Sequence, residues 1–478
     1  MTDKFQLYID GSWRKGSQNE EGEIIDPATE EVIGRVCLAS MGDLQDALAA
    51  AERGFRLWRS LPVAKRSQLL QSVARLIRER VALLSRGLTL EQGKTLKQAT
   101  AEVLTTAAYF DDLASSALHV FGRLLMPDEA GMTRSVVYEP VGPVFAVAPW
   151  NLPALMPGRK IANALAAGCT IILKPAKETP ATALRIAQCC HDAGIPPGVV
   201  NVVCGDSSAI SQLCIGSSIV RKVSFTGSTA VGKELAQLAG AHMKRVTMEL
   251  GGHAPLIVCE DADVMRVVDL VVPVRHSNAG QSCLAPTRVF VHEHLYSRFA
   301  RSFAERAAAL RVGSGLEADA EMGPLASLRR IPVMENMVTD ALQKGAKLSA
   351  GGRRLDRSGY FFPATVLEDV PAGAAIMVDE PFGPVTAIIP FADDEKVVNL
   401  ANDSPYGLAA YVFSRDVERA RSIASQLETG LVGINSLAVA HPTVPFGGVK
   451  DSGIGREGSF EGLLESMVSK AITLPTKA

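Results

Sequence analysis

Three side chains in this chain could together handle a carbonyl carbon: a thiol, a carboxylate and an amide. Cys283 closes Gly280-Gln-Ser-Cys283, a glycine turn just before the strand-like run TRVFV. A free thiol has a pKa near ~8.5 and is only a few per cent thiolate at neutral pH, so a nucleophilic cysteine needs a base or a positive field beside it. Glu249, in Met248-Glu-Leu-Gly-Gly252, precedes a double glycine that would let a carboxylate approach a substrate closely. A solvated or helix-capping glutamate fits the same residues. Asn151, in Pro149-Trp150-Asn151, falls at the C-terminal end of an apolar run, where open α/β sheets place ligands. Its amide could donate to a developing oxyanion.

Taken singly, none of these residues is decisive. The eight cysteines, Cys37, Cys169, Cys189, Cys190, Cys204, Cys214, Cys259 and Cys283, include no CxxC pair and no disulfide-scaffold density. Most read as small buried hydrophobes in a reducing compartment. The turns Glu380-Pro-Phe-Gly-Pro384 and Pro445-Phe-Gly-Gly448 fit packing as well as function. His292-Glu-His294 offers two imidazoles, but the sequence brings no third ligand into view and no metal is expected.

Phosphate-binding turns are the next chemistry to look for, because a helix start leaves backbone N–H groups bare. Phe225-Thr-Gly-Ser-Thr-Ala-Val-Gly232-Lys233-Glu234 runs from a strand-like segment into a helix-like one. Its spacing is nearly that of a P-loop, yet Glu234 stands where Ser or Thr must hold magnesium and would repel phosphates. A dinucleotide-binding turn fits better, with a plain strand-to-helix turn as the alternative. No GxGxxG follows the first strand, so the usual Rossmann fingerprint is missing.

The elements that must position these groups follow from length and pattern. At 478 residues the chain exceeds one ordinary core, which stops growing near ~250–300 residues. Hydrophobic residues at 47% and charged residues at 21% describe a globular enzyme, and 5% aromatics argue against a stacking surface for single-stranded nucleic acid. A formal charge of −2 gives no general attraction to nucleic acid or anionic membrane. The N-terminus shows no leader pattern, and the most apolar stretch, Val267 to Val274, is far short of the ~20 residues a bilayer needs, so a cytoplasmic protein is expected.

Asp-Gly in LYIDGSW signals a hairpin. Helical spacing predicts one helix from Asp43, as N-cap, to Arg59, and a second from Ala64 to Arg86. From Pro143 short apolar runs (PVFAVAP, TIILKP, VVNVVCG, VSFTG) alternate with helix-like segments such as ATALRIAQCCHDAG. A second alternating block follows Glu249, with strands at PLIVC, TRVFV and VTAIIPF. Alternation of this kind predicts two α/β units built on parallel sheets.

Seven motifs in this order, PWN at Pro149, KPA at Lys174, FTGS at Phe225, MELGG at Met248, GQSC at Gly280, EPFGP at Glu380 and PFGG at Pro445, resemble the aldehyde dehydrogenase superfamily over nearly the whole chain. The resemblance implies two Rossmann-like parallel-sheet domains and a small β element for oligomerisation, which accounts for the missing GxGxxG. It implies a cofactor domain over 1–121 and 141–249, an oligomerisation element over 122–140 and 456–478, and a catalytic domain over 250–455. NAD or NADP would lie on Trp150, Lys174, Ala176, Lys177, Gly227, Ser228, Gly232, Leu250, Glu380 and Phe382. Cys283 would attack the aldehyde, Asn151 would hold the oxyanion, and Glu249 would activate the water that releases the acid.

Within the superfamily, Arg159 in PGRKIANALAAGC and the GREG segment at Gly455 resemble the succinate-semialdehyde dehydrogenase branch, where a positive residue after PWN binds the distal carboxylate. Two positions depart from that branch: Ser277 replaces a second arginine and Ala285 a second cysteine. His441 falls close to another carboxylate-contacting position. The resemblance thus implies a semialdehyde substrate for Arg159, Ser277 and His441, with an uncharged aliphatic or aromatic aldehyde as the alternative. Lys177 stands where NAD-preferring relatives carry a glutamate, so NADP should be accepted. Glu249 argues against acyl transfer to coenzyme A. Retention of all the catalytic types argues against an inactive structural relative. A homodimer or homotetramer is expected.

Overall fold

The computed structural model describes residues 3–128 and 131–475. The expected hairpin forms between strands Leu7–Ile9 and Ser12–Arg14, with Asp10 and Gly11 both at positive φ, 52° and 73°. That geometry twists the turn in the sense the strands require.

Helix α1 spans Met41–Ser60, and its N-cap is Ser40 rather than the expected Asp43. Asp43 sits at the third helical position, where its carboxylate reaches back to the Ser40 backbone N–H while the Ser40 hydroxyl accepts from Asp43 N–H. The reciprocal pair satisfies two orphan donors. The second expected helix is two helices, α2 (Val63–Glu79) and α3 (Val81–Gln92), parted at Arg80. Gly93, at φ 99°, ends α3, and Thr95 caps α4 (Leu96–Ser116) with a second reciprocal box.

The first large sheet has the strand order Gly453–Ile454, Arg245–Glu249, Lys222–Thr226, Val144–Val147, Ile171–Lys174, Val200–Val202, Leu7–Ile9, Ser12–Arg14. The five inner strands are parallel. Helices α5 (Leu155–Ala167), α6 (Pro180–Asp192), α7 (Ser207–Gly216) and α8 (Thr229–Ala241) connect them. Chain order reverses between Val144–Val147 and Lys222–Thr226, so the loops leaving these neighbouring strands diverge and open a crevice. Gly453–Ile454, expected within the catalytic segment, pairs antiparallel with Met248 and Glu249 at this sheet's edge.

The second sheet runs Lys347–Ala350, Thr365–Glu368, Val385–Phe391, Pro286–His292, Ala254–Val258, Ala409–Phe413, Leu431–Ile434, parallel except at its first pair. Helix α9 (Val264–His276) leads toward the nucleophile loop and α10 (Glu293–Ala308) follows it. Each sheet has its own core, one containing Trp58, Phe110, Phe145 and Ile172, the other Val289, Phe299, Phe303 and Tyr411. The fully buried Trp58 satisfies its indole N–H on Leu165 O at 2.9 Å. A third sheet joins Arg123–Leu125, Met132–Pro140 and Met467–Pro475. Among the described residues no helix is long and apolar enough to cross a membrane.

Candidate active site

The strand ends decide what meets in the crevice. Val144–Val147 delivers Trp150 and Asn151, Lys222–Thr226 delivers Gly227 and Ser228, and Glu249 is the last residue of its own strand. The second sheet brings Cys283, Glu380, Phe382 and Leu408 from the loops that precede its strands. Together they line a chamber of about 430 Å³ that holds Cys283, Asn151, Glu249, Leu250, Glu380, Phe382 and Trp150 on one wall system. Of the eight cysteines, seven are buried and Cys283 is partly exposed. Position, not reactivity alone, therefore singles it out.

Glu249 is buried, and neither carboxylate oxygen has a hydrogen-bond partner. Leaving a buried carboxylate unsatisfied is costly, so its proton affinity rises: burial, with Glu457 nearby, holds the carboxyl well above its usual range. Burial also pushes the Cys283 thiol up to about 12, helped by the Glu380 and Glu249 carboxylates. At rest the thiol is neutral. A thiol and an unsatisfied carboxylate on one chamber are equipped for proton exchange with a substrate or a water.

Behind them lies a buried charge cluster. Arg159 Nε donates to Glu457 Oε2 at 3.0 Å, Lys160 Nζ to Glu457 Oε1 at 2.6 Å and to Ser224 Oγ at 3.0 Å. The two cations hold the Glu457 carboxyl down at about 2 against the opposing effect of burial. Arg159 also stacks over Phe446, 4.4 Å from its centroid, and Phe446 forms the chamber wall. The expected direct contact of Arg159 with a substrate carboxylate is thereby corrected: its guanidinium is committed to Glu457 and screened by an aromatic ring. Ser277, at the end of α9, and His441, exposed and bonded to Thr443 Oγ1 at 2.8 Å, likewise stay off the chamber wall. Burial raises the Asp112 carboxyl, and nearby His441 partly offsets that rise.

The chamber opens into a cleft of about 1020 Å³ lined by Trp150, Lys174, Ala176, Lys177, Gly227 and Ser228. Here α8 starts, and its N-cap Ser228 makes no side-chain cap, which leaves helix N–H groups for an anion. Gly232 is absent from the wall; a Cβ there would meet Leu250 Cδ2 at 2.2 Å, so this glycine serves helix-to-strand packing. Lys174 is buried at the cleft floor with Nζ 3.1 Å from Pro175 O. Lys177 is exposed, and Glu178 beside it is paired with Arg329. At the chamber end Trp150 and Phe382 meet edge to face at 5.3 Å, and Glu380 Oε1 accepts from Gly252 N at 3.0 Å. An uncapped helix start, a lysine at the floor and a half-buried carboxylate beside an aromatic wall fit the phosphates, hydroxyls and ring of a nicotinamide dinucleotide.

The family model described as the aldehyde dehydrogenase family matches residues 13–472. The chain belongs to the aldehyde dehydrogenase family. It is 43% identical over 460 residues to 4-(hydroxymethyl)benzenesulfonate dehydrogenase TsaD1 of Comamonas testosteroni, covering 96% of this chain and 95% of that one. It is 38% identical over 458 residues to succinate-semialdehyde dehydrogenase [NADP(+)] GabD of Escherichia coli strain K12, with coverage of 96% and 95%. The crystal structure of succinate-semialdehyde dehydrogenase from Burkholderia pseudomallei superposes with a TM-score of 0.97 at 40% identity, covering 98% of each chain. The enzyme is thus an NAD(P)-dependent oxidoreductase acting on aldehydes, with the two-sheet α/β fold read from its motifs.

Several residues that shape this site carried no readable signal. Arg330 donates to Phe382 O at 3.3 Å and to Pro381 O, and the fully buried Arg275 donates to Gly383 O at 2.9 Å and to Val385 O. Both arginines brace the turn around Glu380. Their partners are backbone carbonyls, which leave no mark in a sequence. The HEH motif also had a hidden neighbour: Glu260 Oε2 lies 3.8 Å from both His292 Nε2 and His294 Nδ1. The expectation that no third group accompanies the two histidines is corrected. His292 Nδ1 accepts the His294 N–H as the α10 cap, which keeps the proton on Nε2, and Arg419 holds Glu260 at 3.0 Å. The trio sits at the C-terminal ends of the central strands of the second sheet.

Proposed function

We propose that the enzyme oxidises an aldehyde bearing an acid group at its far end, with succinate semialdehyde as the representative, through a thioester on Cys283. In this reading Cys283 Sγ bonds the aldehyde carbon, the thiol proton passes to Glu249, and the Asn151 amide and Cys283 N–H hold the new oxyanion. Lys174, Ser228, Glu380 and Phe382 would hold NADP or NAD, which would supply the hydride acceptor for that carbon. Glu249, having passed its proton to solvent, then takes one from a water whose oxygen bonds the acyl carbon as the C–S bond breaks. The observation that carries the reading is Glu249 itself: a buried carboxylate with both oxygens unpartnered, on the same chamber as the one accessible cysteine among the described residues.

For the acid group, support comes from the relatives, which are named for a benzenesulfonate and for succinate semialdehyde. An uncharged aldehyde is the second reading, favoured by the apolar wall of Leu152, Met156, Leu408 and Phe446. Measuring kcat/KM for succinate semialdehyde, glutarate semialdehyde, butanal and benzaldehyde separates them. An advantage of about tenfold or more for the acids, about 1.4 kcal/mol, is expected; equal values support the uncharged reading. The same panel run with both cofactors on wild type and Lys177→Glu should show NADP losing and NAD gaining in the variant.

The third sheet exposes Leu124, Leu125, Ile472 and Leu474, and this apolar surface supports its reading as the oligomerisation element. Residues 129–130 and 476–478 of that proposed element lie outside the described residues.

A further inference from the structure

Nucleophile and oxyanion donor come from different sheets, so something must hold them in register. Asn151 Nδ2 donates one hydrogen to Gln281 O at 3.1 Å, two residues before Cys283, which leaves its second hydrogen for a substrate oxygen. The Asn151 carbonyl accepts from Lys94 Nζ at 2.8 Å and from Asn278 Nδ2 at 2.9 Å. Lys94 in turn pairs with Glu102 at 2.5 Å, with side chains only 2% and 3% exposed. Glu102 uses its other oxygen to accept Ala154 N and Leu155 N at 2.8 and 3.1 Å, at the start of α5. The segment 151–155 is therefore gripped at three backbone atoms by one buried ion pair.

Asn278 closes the other side. It sits at φ 54°, a left-handed conformation that asparagine tolerates, and its Nδ2 reaches both Asn151 O and Gln281 O. Gln92 Nε2 donates to Asn278 Oδ1 at 2.7 Å, and Asn278 N donates to Gln98 Oε1 at 3.2 Å. The α3–α4 junction thus ties the nucleophile loop to the oxyanion donor. Buried ion pairs seldom contribute net stability against apolar replacements, and placement of Asn151 gives this one a different use.

We propose that Lys94, Glu102 and Asn278 are positioning residues that aim the free hydrogen of the Asn151 amide at the substrate oxygen. This inference rests on Asn151 being the oxyanion donor. A double-mutant cycle on the burst of NADPH tests both steps. Asn151→Ala should slow the burst by ~10²–10³. Lys94→Met/Glu102→Gln, which removes both charges together, should slow it by at least about tenfold when Asn151 is present, and by less than about threefold in the Asn151→Ala background. Iodoacetamide alkylation of Cys283 forms no oxyanion, so its rate should stay within about threefold, which a general collapse of the site would not allow. Asn278→Gly keeps the left-handed backbone, deletes the donor and should reproduce the pattern if the charge-pair variant fails to fold. Equal losses in both backgrounds, or no loss, would overturn the proposal. An unchanged burst in Asn151→Ala would instead overturn the oxyanion role beneath it.

Discussion

The two sheets meet the chamber with opposite ends. Strands of the first sheet arrive by their C-terminal ends, and the loops that follow carry Trp150, Asn151, Gly227 and Ser228 in ordinary backbone conformations. Strands of the second sheet leave from it, and the loops that precede them carry a run of left-handed residues: Asn278 at 54°, Ala279 at 51°, Gly280 at 68°, and Phe382 at 41°. Non-glycine residues in this region cost free energy and persist only where the surroundings fix them. Here Arg275 and Arg330 hold the carbonyls of the Glu380 turn, and Gln92 and Gln98 hold Asn278. The contrast teaches that this fold divides its labour. One rim offers a helix start and side chains of the proposed cofactor cleft, and the other confines Cys283 and adds Glu380 and Phe382.

Substitutions at glycine should break that contrast if it is wrong. At Gly252, on the second rim, a Cβ would lie 2.3 Å from the Cys283 carbonyl oxygen, a backbone atom that cannot step aside alone. Gly252→Ala should therefore lower kcat/KM by ~10² or more, because displacements near 1 Å carry penalties of that size. At Gly232, on the first rim, the clash is with the end of the Leu250 side chain, and Gly232→Ala should cost less than about tenfold, mainly in cofactor KM. Steady-state kinetics of the pair decide it, and similar losses would erase the distinction.

A smaller effect concerns Glu380, whose carboxyl burial pushes up to about 7. As a proposed ligand of the nicotinamide ribose, Glu380 is a weaker acceptor when protonated, so cofactor KM is expected to rise as pH falls through 7. Its effect on stability has the opposite sense. Between its ordinary value of 4.5 and 7 the folded enzyme holds the proton more than the unfolded chain does, so stability falls as pH rises through that window. Glu380→Gln should flatten both dependences, read by cofactor titration and by thermal melts at pH 5 and 8.

The same division explains what could be read from the chain. Strands Val144–Val147, Ile171–Lys174, Val200–Val202 and Lys222–Thr226 were legible because both faces of a parallel sheet are covered and each becomes an apolar run. Cys283, Asn151, Glu249 and the cleft residues were legible through seven motifs in order, and the structure brings them together. The break at Arg80 was not, since no proline or glycine marks it. Nor was the commitment of Arg159, whose partner Glu457 stands 298 residues away. Side-chain pairing of that range depends on the packed fold, and a motif records only the residue. Lys94 and Glu102 escaped for the same reason, although both lie on one short stretch.

Release of the proposed Cys283 thioester is assigned to Glu249. The most direct measurement mixes Glu249→Gln with aldehyde and NADP, quenches in acid, and combines absorbance of NADPH with intact-mass and peptide mapping. One equivalent of NADPH, formed more slowly because the thiol has lost its proton acceptor, and one acyl mass on Cys283 whose release is slowed by ~10²–10⁴, is the predicted result. Undiminished turnover with Cys283 unmodified, or an acyl group on another residue, would contradict it.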